Sequence, residues 1–208
     1  MKPEQLRLYL VTDRSFCLGR NLTDIVDEAV SGGVTMVQLR EKECCSREFV
    51  ELASAVHSVT LRRGVPLIIN DRVDVAQAVG AEGVHLGQSD MPCSIARSLL
   101  GPDAIIGLSV ENLDDVSAAR ALDVDYLGVS PVFSTATKTD TAAPFGLDGL
   151  RQAVALSPFP CVAIGGINAS NAAQVMACGA AGIAVVSAVM GAPDPRSAAA
   201  ELIELTRI

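Results

Sequence analysis

The feature that most limits what this chain can fold into is an alternation that runs along nearly its whole length. Short β-branched runs are each followed by a longer stretch with apolar residues at helical spacing. The runs are LYLVT (8–12), VTMVQL (34–39), PLIIN (66–70), GVHL (83–86), AIIGLS (104–109), DYLGVS (125–130), CVAIGG (161–166) and GIAVVS (182–187). Between them lie stretches such as LTDIVDEAVSGG and SREFVELASAVHSVTLRRG, with Ser, Asn or Asp near the start and Gly near the end, as helix caps require. Strands alternating with helices imply a parallel sheet. About eight such units in one domain imply a closed (β/α)8 TIM barrel. At 208 residues the chain is near the lower size limit for that fold, so residues 1–208 read as one barrel domain. An open doubly wound sheet is the alternative, but no long break marks a topological switch point.

Composition agrees with buried parallel strands. Half the residues are hydrophobic while only 3% are aromatic, so the core has to be built from Val, Ile, Leu and Ala. The formal charge is −8, and no Lys/Arg run or aromatic–basic interleaving is present, which argues against a nucleic-acid partner. Anions must then be bound locally, by helix N-termini, metal ions and a few placed cations. The opening MKPEQLRLYLVTDR lacks a basic start followed by an apolar stretch, so no leader is expected. No apolar run reaches the length of a membrane span. A cytoplasmic location follows, and in it the six scattered cysteines are not expected to pair. The chain is compatible with a homo-oligomer.

In a (β/α) barrel, chemistry collects where the strands end. Gln38, Arg40, Glu41 and Lys42 stand at or just past the end of the second run, Asn70, Asp71 and Arg72 at or just past the end of the third, and Gln88, Ser89 and Asp90 after the fourth. Ser109 ends the fifth, Gly165–Gly166 the seventh, and Val186–Ser187 the eighth. Asp71 and Asp90 come from neighbouring strands, and Mg²⁺ is commonly held by one or two carboxylates plus phosphate oxygens and water. Each could instead cap a helix, near Val73 and Cys93 respectively. Lys42 and Lys138, with Arg40 nearby, can meet phosphate charge. Gly166 and Ser187 sit where this fold usually binds phosphate. His57, within a helical stretch, and His85, within a strand run, read as packing or partly exposed residues. The sixth run is followed by PVFSTATKTDTAAPFG, a polar segment long enough to need a functional reason. It reads as an active-site loop that closes over the ligand and carries Lys138.

In order and spacing, VQLREK, INDRVDVAQAVGAEGVHLGQSD, GLSV, TATK and VAIGGI, ending in VVSA, resemble the thiamine-phosphate synthase family over nearly the whole chain. The resemblance implies an Mg²⁺-dependent transferase. It would join 4-amino-2-methyl-5-pyrimidinylmethyl diphosphate to hydroxyethylthiazole phosphate, through a dissociative path in which the aminopyrimidine stabilises a methylene cation. It further implies that Gln38, Arg40, Lys42 and Asn70 grip the pyrimidine diphosphate, that Asp71 and Asp90 hold Mg²⁺, and that Ser109 lines the pyrimidine pocket. Lys138 would meet the diphosphate and, with Ser109, act in catalysis. Thr135, Thr137, Gly166, Val186 and Ser187 would hold the thiazole phosphate. Two positions depart from the family pattern: Ser130 stands for a usual Gly and Ser134 for a usual Pro, and neither removes a group the reaction needs. A thiazole tautomerase or regulatory paralogue on the same barrel would lack the carboxylate pair and the loop lysine. A non-catalytic phosphate-binding barrel would show no turnover.

Overall fold

Each of the eight apolar runs becomes a strand: β1 (Leu8–Val11), β2 (Met36–Leu39), β3 (Leu67–Asn70), β4 (Gly83–Leu86), β5 (Ile105–Val110), β6 (Tyr126–Val129), β7 (Cys161–Ile164) and β8 (Gly182–Val185). The computed structural model describes residues 1–134 and 143–207. All neighbouring strands pair in parallel, and β1 pairs with both β2 and β8, so the sheet closes into an eight-stranded barrel. β1, β6, β7 and β8 end one or two residues short of their sequence runs, and residues such as Gly165, Gly166, Val186 and Ser187 leave the ladder to line the mouth.

The intervening stretches form α1 (Leu22–Ser31), α2 (Ser46–Arg63), α3 (Val73–Val79), α4 (Cys93–Leu100), α5 (Leu113–Ala119), α6 (Gly146–Leu156) and α7 (Ala172–Met176). Two helices follow β8: the single turn α8 (Ser187–Met190) and α9 (Pro195–Leu205). The caps follow the sequence signals. Asn21 accepts from the Thr23 N–H, Asn112 from that of Asp115 and Asp194 from that of Ser197, which satisfies backbone donors that the first turn leaves free. At the other end, Gly64 closes α2 in the left-handed region (φ 68°), where a Cβ would be disfavoured.

Two apolar layers result. Outward-facing strand residues such as Leu8, Leu10, Val37, Leu39, Leu67 and Ile69 pack under the helices. Inward-facing Tyr9, Val11, Met36, Ile68, Ile105, Tyr126, Val162 and Ala184 fill the barrel, with Leu6 closing its floor. Above that layer the inward positions turn polar: Gln38, Asn70, His85 and Ser109. The same alternation that fills the barrel therefore builds the floor of the site. No helix among the described residues is long and apolar enough to cross a membrane.

At the opposite end Arg97 of α4 joins three segments. It reaches Asp125 (2.9 Å), Asp123 (3.1 Å) and the Ala104 carbonyl, and Asp125 also accepts the Ile106 N–H at 2.8 Å. Arg97 is mostly buried, so its loss would strand a half-buried carboxylate. Arg97→Ala is expected to lower unfolding free energy by roughly 2 kcal/mol. Denaturant titration measures this, and turnover below the transition should be unchanged because the clasp lies on the face remote from the mouth.

Candidate active site

The C-terminal strand ends surround a cavity of about 580 Å³, the size of a small-molecule site. Its wall includes Gln38, Arg40, Lys42, Asn70, Asp71, Asp90, Ser109, Gly166, Val186 and Ser187. Every residue within the described part of the chain to which the sequence assigned a substrate or metal role thus faces one space. Thr135, Thr137 and Lys138 lie outside the described residues.

The acidic side of the cavity has a specific local origin. After β3 the Arg72 N–H turns back onto the Asn70 carbonyl at 2.7 Å, and Asp71, between them, sits at φ 61°. A three-residue turn with a positive central φ is rare and strained, and Asp tolerates it better than most residues. The Asp71 N–H is held by the His85 carbonyl at 2.9 Å. From the next strand end, Asp90 folds back so that its Oδ2 accepts the Gly87 N–H at 2.7 Å. Neither carboxylate caps a helix: α3 and α4 have Arg72 and Pro92 at their N-caps, with no side-chain cap bond. The capping alternative is therefore excluded for both.

The Asp71 carboxyl is pushed up to about 6, chiefly by burial and then by its hydrogen bond to Asp90 and that residue's charge; Lys42 and Asn70 pull the other way. Two carboxylates this close resist joint ionisation unless a cation shares the space. Paired oxygen donors, with room left for water and phosphate oxygens, suit Mg²⁺. No group of three or more His, Cys, Asp or Glu that could hold a metal occurs among the described residues.

The basic side follows β2. The Arg40 N–H donates to Thr12 Oγ1 at 3.1 Å, and its guanidinium stands 3.7 Å from Asp13. Lys42 is exposed at the rim. Glu41, between them, turns away from the cavity and accepts from Arg14 Nε at 2.8 Å. That contact ties the β1 and β2 loops together behind the two cations.

A glycine-lined corner of the cavity lies after β7 and β8. Gly165 and Gly166 have φ values of 103° and 66°. A Cβ on Gly166 would stand 2.8 Å from the Ser134 carbonyl oxygen and 2.9 Å from Phe133 Cβ. The segment 131–134 packs on this glycine pair, with the Phe133 N–H donating to the Gly165 carbonyl at 3.1 Å. The far side of the same loop is anchored where the Phe145 and Gly146 N–H groups donate to the Pro131 and Val132 carbonyls, both at 2.9 Å. Behind the corner, Arg20 donates to the Met190 and Ala192 carbonyls at 2.5 and 2.8 Å and so fixes the end of α8.

Three residues of the floor were not expected to have a role from the sequence. Gln38 Nε2 donates to the Tyr9 hydroxyl at 2.9 Å, Tyr9 meets the Tyr126 hydroxyl at 2.9 Å, and Tyr126 meets His85 Nδ1 at 2.9 Å. His85 Nε2 then meets Ser109 Oγ at 2.9 Å. His85 is buried, as a packing residue would be, yet both ring nitrogens are engaged and its ring borders the cavity. The available signal was a polar residue within the apolar run GVHL.

A closed parallel barrel with two neighbouring carboxylates, cations and a glycine-lined corner at its C-terminal mouth defines a phosphate-handling enzyme of the TIM-barrel class. The thiamine monophosphate synthase family model matches residues 8–189. A thiamine-phosphate synthase from Albidiferax ferrireducens is 56% identical over 97% of this chain and 92% of its own length. One from Vibrio campbellii is 53% identical over 97% and 98%. Among solved structures, thiamine phosphate pyrophosphorylase from Pyrococcus furiosus superposes with a TM-score of 0.90 at 42% identity, covering 98% of this chain and 96% of that one. The chain belongs to the thiamine monophosphate synthase family.

The carboxylate pair makes a signed prediction. A raised carboxyl pKa means that the folded, metal-free protein keeps a proton that the unfolded chain has released, so stability is lost as pH rises through about 6. Asp71→Asn imitates the protonated state and suits the positive φ. In metal-free protein at about pH 8 it should melt a few degrees above the parent, and the gap should narrow at about pH 5 and close only below about pH 4, where the unfolded chain keeps the proton too. Thermal melts at the two pH values check this; a variant less stable at the higher pH would remove the argument for carboxylate repulsion.

Proposed function

We propose that this barrel catalyses the Mg²⁺-dependent condensation of 4-amino-2-methyl-5-pyrimidinylmethyl diphosphate with hydroxyethylthiazole phosphate, giving thiamine phosphate and diphosphate by a dissociative path. Membership of the family makes the chain a transferase with thiamine-phosphate synthase activity. The observation that carries the metal-dependent reading is the Asp71–Asp90 pair, facing the same cavity as Arg40 and Lys42. The whole chain acts as one domain in the cytoplasm on small molecules, without nucleic acid, and a homo-oligomer is compatible with that role.

The chemistry asks little proton transfer of the protein. The bond from the methylene carbon to the diphosphate oxygen breaks, and the thiazole nitrogen then donates its lone pair to that carbon. Asp71 and Asp90 would hold Mg²⁺, which supplies charge neutralisation for the departing diphosphate. Arg40, Lys42 and Lys138 meet the remaining diphosphate charge. Gln38, Asn70 and Ser109 orient the pyrimidine. Thr135, Thr137, Gly166, Val186 and Ser187 seat the thiazole phosphate, so that its nitrogen faces the methylene carbon. Holding the partners together and keeping water out is then most of the catalysis.

Formation of thiamine phosphate from the two substrates, with and without Mg²⁺, tests the reading directly. Asp71→Asn and Asp90→Asn should each reduce turnover by about 100-fold or more at saturating substrates. Full activity in either variant would remove that residue from the metal site. Ser187→Ala should raise the KM for thiazole phosphate about tenfold, with little change for the pyrimidine diphosphate. An equal rise in both would contradict the assignment of the β7–β8 corner.

A further inference from the structure

We propose that Gln38, Tyr9, Tyr126, His85 and Ser109 form a hydrogen-bond relay with one fixed direction, which makes the Ser109 hydroxyl a donor to the pyrimidine substrate. Tyr9 and Tyr126 are thereby positioning residues of the reaction. The inference rests on the reading of the cavity given above and extends it to residues that act through Ser109.

The direction follows from counting protons. Gln38 Nε2 is a donor, so the Tyr9 oxygen accepts from it. The remaining partner of Tyr9 is the Tyr126 hydroxyl, and the Tyr9 proton must go there. Tyr126, having accepted, sends its own proton to His85 Nδ1. A neutral imidazole that accepts at Nδ1 carries its proton on Nε2, and Nε2 faces Ser109 Oγ. Ser109 Oγ accepts that proton, so its own hydroxyl proton is free to point into the cavity that Ser109 lines. The reverse direction fails at Tyr9, which would receive from both Gln38 and Tyr126 and leave its own proton without an acceptor among the described residues. An unsatisfied buried hydroxyl is costly enough to favour the first direction by roughly fivefold or more.

Two further features show that the relay is built in. Burial holds both phenols well above their ordinary pKa, so both protons are in place throughout the working range. Space is also reserved for them. A Cβ on Gly107 would overlap the Tyr126 ring and the His85 imidazole, and one on Gly128 would come within 3.0 Å of His85 Cε1. Glycine inside a strand weakens it and marks a place where something else must come close; here that is the Tyr126–His85 pair. The two Tyr residues are the only ones in the chain, and both are in the relay. A pyrimidine ring nitrogen, with its lone pair in the ring plane, is the kind of acceptor that an obligate Ser109 donor would read.

The test uses the intact protein. In ligand-free wild type, ¹⁵N NMR of the histidines should show His85 protonated at Nε2 and bare at Nδ1, and Tyr126→Phe should give a mixture of tautomers. With both substrates, Tyr126→Phe should raise the KM for the pyrimidine diphosphate about tenfold and leave that for thiazole phosphate within about twofold. In a Ser109→Ala background the same change should add nothing, because its effect passes through that hydroxyl. A wild-type His85 proton on Nδ1 would overturn the direction. A Tyr126→Phe penalty that persists in the Ser109→Ala background, or that falls equally on both substrates, would overturn the relay's role. The wild-type NMR measurement needs no variant and no turnover, so it stands even if the assigned reaction fails.

Discussion

Closure of the sheet between β1 and β8 is the constraint on which the rest depends. With that seam paired, every strand has two hydrogen-bonded neighbours and no free edge. Inward and outward side chains are then fixed by parity along each strand. Tyr9 and Val11 must face in while Leu8 and Leu10 face out, and all eight strand ends point their loops to one rim. The cavity is a product of that geometry: four polar side chains occupy the last inward level, and the loops above it supply charge.

Within that frame, opposing local strains divide the rim into two halves. The acidic half holds a carboxyl kept partly protonated by burial and by a neighbouring carboxylate, on a turn whose central residue is at positive φ. Both features cost folding free energy in the metal-free protein, and a cation shared by the two carboxylates would relieve the charge repulsion. The glycine half is shaped by exclusion. Gly165 and Gly166 have no side chain because the segment 131–134 lies against them, and their missing side chains leave backbone at the cavity surface.

Much of this was legible in the residues. Strand positions could be read because a buried parallel strand is a short apolar run with a polar or glycine terminus, and all eight such runs became strands. The rim residues were legible for the same reason: Asp71, Asp90, Arg40 and Lys42 follow runs that could only be strands. Whether the two carboxylates cap helices was not readable, since a capping Asp and a rim Asp have the same sequence neighbours; the backbone turns after β3 and β4 decide it. The tyrosine–histidine floor was hidden for a different reason. Tyr9 and Tyr126 stand in runs apolar on both faces, so neither parity nor polarity separated them from ordinary core residues. Their link joins residues 117 positions apart, a distance that no local pattern reports. Gly107 and Gly128 were the nearest visible sign, as glycines in otherwise β-branched runs.

The clasp by Arg20 extends this dependence into synthesis of the chain. Its guanidinium is held by the Met190 and Ala192 carbonyls, 170 and 172 positions later, and β1 has to wait for β8 at 182–185 to complete its pairing. On the ribosome, the first strand can therefore pair with β2 early but emerges long before β8 exists. Through most of translation the growing half-barrel carries an open, strongly apolar edge. Such edges recruit other chains, so the interval between emergence of β1 and arrival of β8 is the one in which the unclosed sheet is open to aggregation.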